Sequence, residues 1–168
     1  MDFTKPGLAT LSGDAYSMRT TNQIRIHADM EEVYRAALDI LEWPKILSHY
    51  SLVRVVDGDL SSDHCLVKMV ASRNGFPCSW QAERFLDPKN YRIRYRHTRS
   101  TWTQGMDVWW LLRTTEDGSV EATITHEMLR SNFVTEWFRR QVVGRLFIEN
   151  IANKTLSGLK QHLERGPA

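Results

Sequence analysis

The chain has 168 residues, 42% of them hydrophobic and 25% charged, ordinary values for one soluble globular domain able to bury a sizeable core. Its 22 basic and 20 acidic residues leave a net charge of +2, too little to point to nucleic acid as a partner. No apolar run is long enough for a membrane helix and no charged-then-apolar start marks a signal peptide, so a cytoplasmic protein without membrane insertion is expected.

Residues 1–15 carry Pro6 with several Gly and Ser and no periodicity, and read as a flexible arm ahead of a single domain over residues 16–165. A strand follows from Tyr16 to His27. Asp29 with Glu32 has the form of a capping box, so a helix is expected to start there, with Val33, Ala36 and Ala37 facing the core. Pro44 ends that run and opens a second short helix to Ser48. Five strand-like segments come next, near Ser51–Val56, His64–Ser72, Cys78–Leu86, Tyr91–Thr98 and Thr101–Thr114. Glu116-Asp117-Gly118 is a hairpin signal, and Ser119–Leu129 a last strand whose inner face is Val120, Ala122, Ile124, His126 and Met128. From Val134 to Glu164 the pattern is helical, with Phe138, Val142 and Leu146 and then Ala152, Leu156, Leu159 and Leu163 on one stripe.

Side chains of a strand alternate between its faces, so Trp80, Ala82 and Arg84 share one face. In the next strand Tyr91, Ile93, Tyr95 and His97 share one face, and Arg92, Arg94 and Arg96 the other, which reads as a solvated convex row. Arg84 and His97 then point inward among aromatics. An inward arginine is costly unless paired, hydrated or facing a polar ligand, which predicts a cavity rather than a solid core. Trp80 and Trp110 share the inward parity and suit flat walls for a planar ligand, unless Asp107 and Trp109 are the inward pair instead. An outward Trp109 admits a homodimer or another partner contact. Cys65 and Cys78 lie in neighbouring strands and are expected to be reduced. Neither has a histidine at metal-site spacing, so no metal is predicted. Arg139, Arg140 and Arg145 form either a solvated helix face or a contact for an acidic carrier protein.

One strand, two short helices, six strands and a long helix predict an α+β fold. Its hairpin-length connections imply a seven-stranded antiparallel sheet curled around the long C-terminal helix. Such a sheet leaves a pocket between itself and the helix.

The VYRAALDILEWPKILSHYSLVRVV segment, with Trp43-Pro44 and Tyr50, and the SWQAERFLDP and YRIRYRH runs give the chain a recognisable likeness. It resembles the START/Bet v 1-like helix-grip superfamily, in its polyketide cyclase/dehydrase branch, over about residues 17–164. The spacing around Trp80 and Arg84 is most similar to bacterial aromatase/cyclases, in which a pocket arginine on this strand holds substrate carbonyls. The resemblance carries that role to Arg84 and matches Trp43, Tyr50 and Trp80 to pocket aromatics. At Ala82 the chain departs from the small hydroxyl residue common in that group.

The expected catalytic residues are therefore Arg84, as an anchor for an enolate, and His97 and Tyr50 as proton-moving groups. The expected substrate-binding residues are Trp80, Tyr95, Trp110, His126, Met128 and Trp43. Two functions fit. One is an aromatase/cyclase that folds and dehydrates a poly-β-ketone without a cofactor, because ketone-flanked carbons are already acidic. The other is a carrier for a quinone, lipid or isoprenoid, in which Arg84 only orients a head group.

Overall fold

The computed structural model describes residues 16–73, 76–100, 103–129 and 145–165. Strand β1 (Tyr16–Ile26) leads into helices α1 (Met30–Leu38) and α2 (Trp43–Ile46). Six strands follow: β2 (Tyr50–Gly58), β3 (His64–Arg73), β4 (Phe76–Asp87), β5 (Arg92–Ser100), β6 (Met106–Thr114) and β7 (Val120–Leu129). A short 3-10 helix (Pro88–Asn90) joins β4 to β5, and helix α3 (Arg145–Glu164) closes the described chain. All seven strands form one antiparallel sheet in the order β1-β7-β6-β5-β4-β3-β2. The two edges, β1 and β2, are consecutive in sequence, so α1 and α2 carry the chain from one edge to the other. α3 lies against β1 and also meets β3, β7, α1 and α2.

The alternation of side chains sets which face is concave. Trp80, Ala82 and Arg84 on β4, Ile93, Tyr95 and His97 on β5, and Val120, Ala122, Ile124, His126 and Met128 on β7 are all buried. On β6 the inward set is Met106, Val108 and Trp110, which settles the parity there and puts Trp109 on the outer face. Ala152, Leu156 and Leu159 bury the stripe of α3 against this surface. Burial of this apolar face, at about 25 cal/mol per Å², is the main force holding helix to sheet. Gly158 has a steric reason: a Cβ built there would lie 2.3 Å from Leu47 Cδ2, so the leucine after α2 packs on the bare helix backbone.

Several boundaries differ from expectation. α2 covers Trp43–Ile46 rather than ending at Ser48. Asp29 stands at the N-cap of α1 but its side chain makes no capping bond, so the expected capping box is absent. β6 starts at Met106, not Thr101, because Thr103–Gly105 turns back on β5: the Gly105 N–H donates to the His97 carbonyl at 2.8 Å, with Gly105 at φ +82°. Of the helix expected over Val134–Glu164, Arg145–Glu164 is present. Residues 134–144, the 1–15 arm, and with them Phe138, Val142, Arg139 and Arg140, lie outside the described residues. Cys65 pairs in register with Arg84, and Cys78 with Ala71, far apart along the β3–β4 ladder, and neither is in a disulfide.

Candidate functional site

A cavity lies between the sheet and α3. Trp43, Tyr50, Trp80 and Trp110 form its aromatic walls, and His97 and His126 face it from β5 and β7. Met69, Tyr95, Thr103, Met106, Ile151 and Thr155 are among the other lining residues. The rings are in contact: Trp43 lies 5.1 Å from Tyr50 and 5.7 Å from Trp110, and Tyr50 lies 6.2 Å from Trp80. Trp80 then stacks on the His97 imidazole at 5.6 Å with 17° between planes. Trp43 is held by its indole N–H, which donates to the Ala36 carbonyl at 3.0 Å, so α1 fixes the wall that α2 presents. The free volume is about 70 Å³. Typical ligand sites hold roughly 300–1,000 Å³, so a large ligand enters only if lining side chains move. Met69 and Met106 are the most adaptable of them.

Three buried histidines are each tied to a threonine hydroxyl. His97 Nδ1 lies 2.7 Å from Thr103 Oγ1, His126 Nδ1 lies 3.5 Å from Thr20 Oγ1, and His49 Nε2 lies 2.9 Å from Thr155 Oγ1. Burial disfavours the charged imidazolium and pushes His97 and His126 down to about 3; the neighbouring His126 adds a smaller push on His97. Burial, then the Lys154 charge, takes His49 to about 4. All three rings are neutral near pH 7. Among the described residues His97 Nε2 has no protein partner, so one nitrogen of a cavity-lining ring is uncommitted. Burial raises the Tyr50 phenol to about 12, against a side-chain hydrogen bond with Thr155. It also raises Tyr95, whose hydroxyl is buried without a partner, while the Arg84 charge works in the opposite direction.

Arg84 is on the concave side, as expected, and 1% exposed, but it does not line this cavity. Its guanidinium is taken up by backbone carbonyls: Nη2 donates to Leu60 O at 2.6 Å and Ser62 O at 3.5 Å, and Nη1 to Leu38 O at 3.4 Å. These carbonyls come from the end of α1 and the β2–β3 connection, and the planar fork of donors suits them. Among the described residues no carboxylate pairs with it. Nε stays unpaired, and Tyr95 sits directly across the β4–β5 ladder. Met128 is a second correction: it is buried, but its register neighbour Met106 lines the cavity instead. Trp43, Tyr50, Trp80, Tyr95, His97, Trp110 and His126 are brought together as lining residues.

Outside, Arg94 covers Trp109 at 4.9 Å from its ring and pairs with Asp107 at 2.9 Å, so the indole is not the open patch that suggested a partner contact. Sequence reasoning missed Thr103, Thr155 and His49. The Thr103-Gln104-Gly105 turn chemistry was the available signal for the first. Among the described residues no group of His, Cys, Asp and Glu could hold a metal, and no helix is long and apolar enough to cross a membrane.

With this geometry the chain is similar to proteins of known kind. It is 27% identical over 100 residues to a protein of Streptomyces cyaneus named "Putative polyketide cyclase", across 60% of this chain and 66% of that one. The chain thus spans just under two thirds of that relative. A protein of the same name from Streptomyces halstedii is 25% identical over 99 residues, 59% of this chain and 91% of that one. Among solved structures, the Zhui aromatase/cyclase from Streptomyces sp. R1128 superposes with a TM-score of 0.75 at 18% identity, over 88% of this chain and 93% of that one. The ginseng major latex-like protein 151 from Panax ginseng reaches 0.68 at 11% identity, over 86% and 96%. At those identities the likeness is one of fold, the helix-grip architecture expected from the sequence. The family model for polyketide cyclase/dehydrase and lipid transport matches residues 26–155, and the chain belongs to that family.

Proposed function

We propose that the protein is an aromatase/cyclase, which closes and dehydrates a ring in a poly-β-ketone bound between the sheet and α3. The observation that carries this reading is the neutral His97 imidazole, stacked on Trp80 in an aromatic wall with Nε2 unpartnered. The walls restrict which carbons of a flexible chain meet, an orientational contribution that enzymes use in place of collision. His97 takes a proton from a carbon between two ketones. Burial keeps the ring neutral and so able to accept a proton, and the enolate charge growing beside it raises its proton affinity as the proton moves. Tyr95 O–H donates to the developing oxyanion, with the Arg84 charge behind it favouring negative charge at that point. His126 and Trp110 bound the far side, and the substrate arrives on an acyl carrier protein.

The experiment is product analysis of a carrier-bound poly-β-ketone with and without the purified protein. A shift towards one cyclised, dehydrated product is expected. An unchanged product distribution, with a quinone or lipid recovered from the purified protein by mass spectrometry, overturns the reading in favour of a carrier.

A further inference from the structure

The hydroxyl groups around His97 determine which of its nitrogens bears the proton. Thr103 Oγ1 donates its single proton to Ser100 Oγ at 2.9 Å, and the Thr103 backbone N–H donates to the same oxygen at 3.2 Å. Ser100 Oγ is thereby the acceptor of two bonds, and the Thr103 proton is spent. At 2.7 Å from His97 Nδ1, Thr103 Oγ1 has only lone pairs left to offer, so Nδ1 must carry the hydrogen. In a neutral imidazole the other nitrogen is then an acceptor.

We propose that Thr103 and Ser100 are positioning residues, which hold His97 as its Nδ1–H tautomer so that Nε2 presents a lone pair for proton abstraction. This rests on the aromatase/cyclase reading for its use, not for its geometry. Nε2 accepts the proton as the C–H bond breaks and the enolate forms. As the C=C bond forms and the C–O bond of the β-hydroxyl breaks, the proton on Nε2 leaves with that oxygen as water, and the ring returns to Nδ1–H. While Nε2 holds the proton, the ring is an imidazolium whose Nδ1–H bond to Thr103 is charge-assisted and shorter.

The other two histidines mark the contrast. Thr155 donates its proton to the Ile151 carbonyl at 2.9 Å, so it too can only accept, and His49 is held with hydrogen on Nε2. That ring is buried but does not line the cavity. His126 lines it, yet its bond to Thr20 is 3.5 Å and among the described residues that hydroxyl has no further acceptor, which leaves its tautomer free. Only His97 among the three combines a fixed tautomer with a place in the wall.

The test reads the tautomer directly, by long-range proton–nitrogen NMR of the histidine rings in the whole protein, with no substrate. Wild type should show His97 protonated at Nδ1. Ser100→Ala removes the acceptor and frees the Thr103 proton to point at Nδ1, so the His97 signals should shift towards the Nε2–H form. Thr103→Val should do the same by removing the hydroxyl, and Thr103→Ser should restore the wild-type pattern. In the cyclisation assay kcat should fall about 10–100-fold in Ser100→Ala with KM unchanged, the pattern of a lost orienting bond. A wild-type ring protonated at Nε2, or a ring whose tautomer ignores both substitutions, overturns the proposal. A tautomer that shifts as described in a protein inactive on poly-β-ketones supports the positioning and overturns only the reaction assigned to the cavity.

Discussion

The concave face holds two kinds of buried polar group, one on β4 and the other on β5 and β7, and they are treated in opposite ways. At Arg84 a permanent charge is buried where the ends of α1 and the β2–β3 connection turn their carbonyls inward, and most of its donors are used. At His97 and His126 neutral rings are buried beside aromatic walls, and each spends one nitrogen on a threonine. A guanidinium cannot shed its proton, so the fold must supply partners for it, and it then ties three chain segments together. An imidazole avoids the cost of burial by giving up its proton, and keeps a lone pair for chemistry. The difference separates a residue whose donors are committed to the fold from one that keeps a nitrogen open at the cavity wall. Sequence alone put Arg84 and His97 under catalysis and His126 under substrate binding.

The largest expected effect follows from the neutral rings. His97 and His126 stand at about 3 and His49 at about 4 in the folded protein, and all three regain their ordinary value of about 6.5 on unfolding. Between those values the unfolded chain binds more protons, so stability is full above pH ~6.5 and is lost as the pH falls through the window. The slope should be about 1.4 kcal/mol per pH unit for each ring, or about 4 for the three together between pH ~4 and ~6.5. Urea midpoints followed down this range measure it, and His126→Phe should remove about a third. A pH-independent midpoint would mean that the rings are not buried as neutral groups, and the contrast with Arg84 would collapse.

Next in size is Arg84 itself. Arg84→Met keeps the volume but leaves the Leu38, Leu60 and Ser62 carbonyls without their donor. A buried acceptor left alone costs about 1–3 kcal/mol, so one strong and two longer bonds together predict a loss of about 3–5 kcal/mol in a urea titration. Arg84→Lys offers a compact charge without the planar fork and should fall between. If Arg84→Met were as stable as wild type and only turnover suffered, Arg84 would belong with the groups proposed to meet substrate.

These corrections show which signals a sequence carries. The concave face was legible because strand alternation has a strict period of two, so Trp80, Tyr95, His97 and His126 were placed by counting. The order of elements and the stripe of α3 followed from turn chemistry and helical period in the same way. The partners of Arg84 were not legible, since backbone carbonyls at Leu38, Leu60 and Ser62 have no side-chain signature and lie 46, 24 and 22 residues away. Thr103 was hidden by reading β6 as starting at Thr101. That extension turned a hairpin connection into strand and removed the fold-back that brings its hydroxyl to His97. Met128 shows the limit of parity, which places a side chain on the concave face but not along it.

The smallest expected change in stability, and the sharpest division of roles, belongs to Tyr95. It lies in the cavity wall yet sits across the ladder from Arg84, so it joins the two regions. Its hydroxyl is buried and unpaired, a group that contributes nothing to the fold in the ligand-free state and whose burial is itself unfavourable. Tyr95→Phe keeps the ring and its packing and removes only that oxygen. Stability should stay within about 1 kcal/mol of wild type, or rise, because no satisfied hydrogen bond is lost. Turnover should nevertheless fall by about two to three orders of magnitude if the hydroxyl donates to an oxyanion, the usual cost of losing one such donor. The loss should appear in kcat rather than KM, since the negative charge it meets exists only on the way to the transition state. A Tyr95→Phe protein with unchanged kcat would leave the unpaired hydroxyl with no catalytic use, and the oxyanion would have to be met by another donor of the wall.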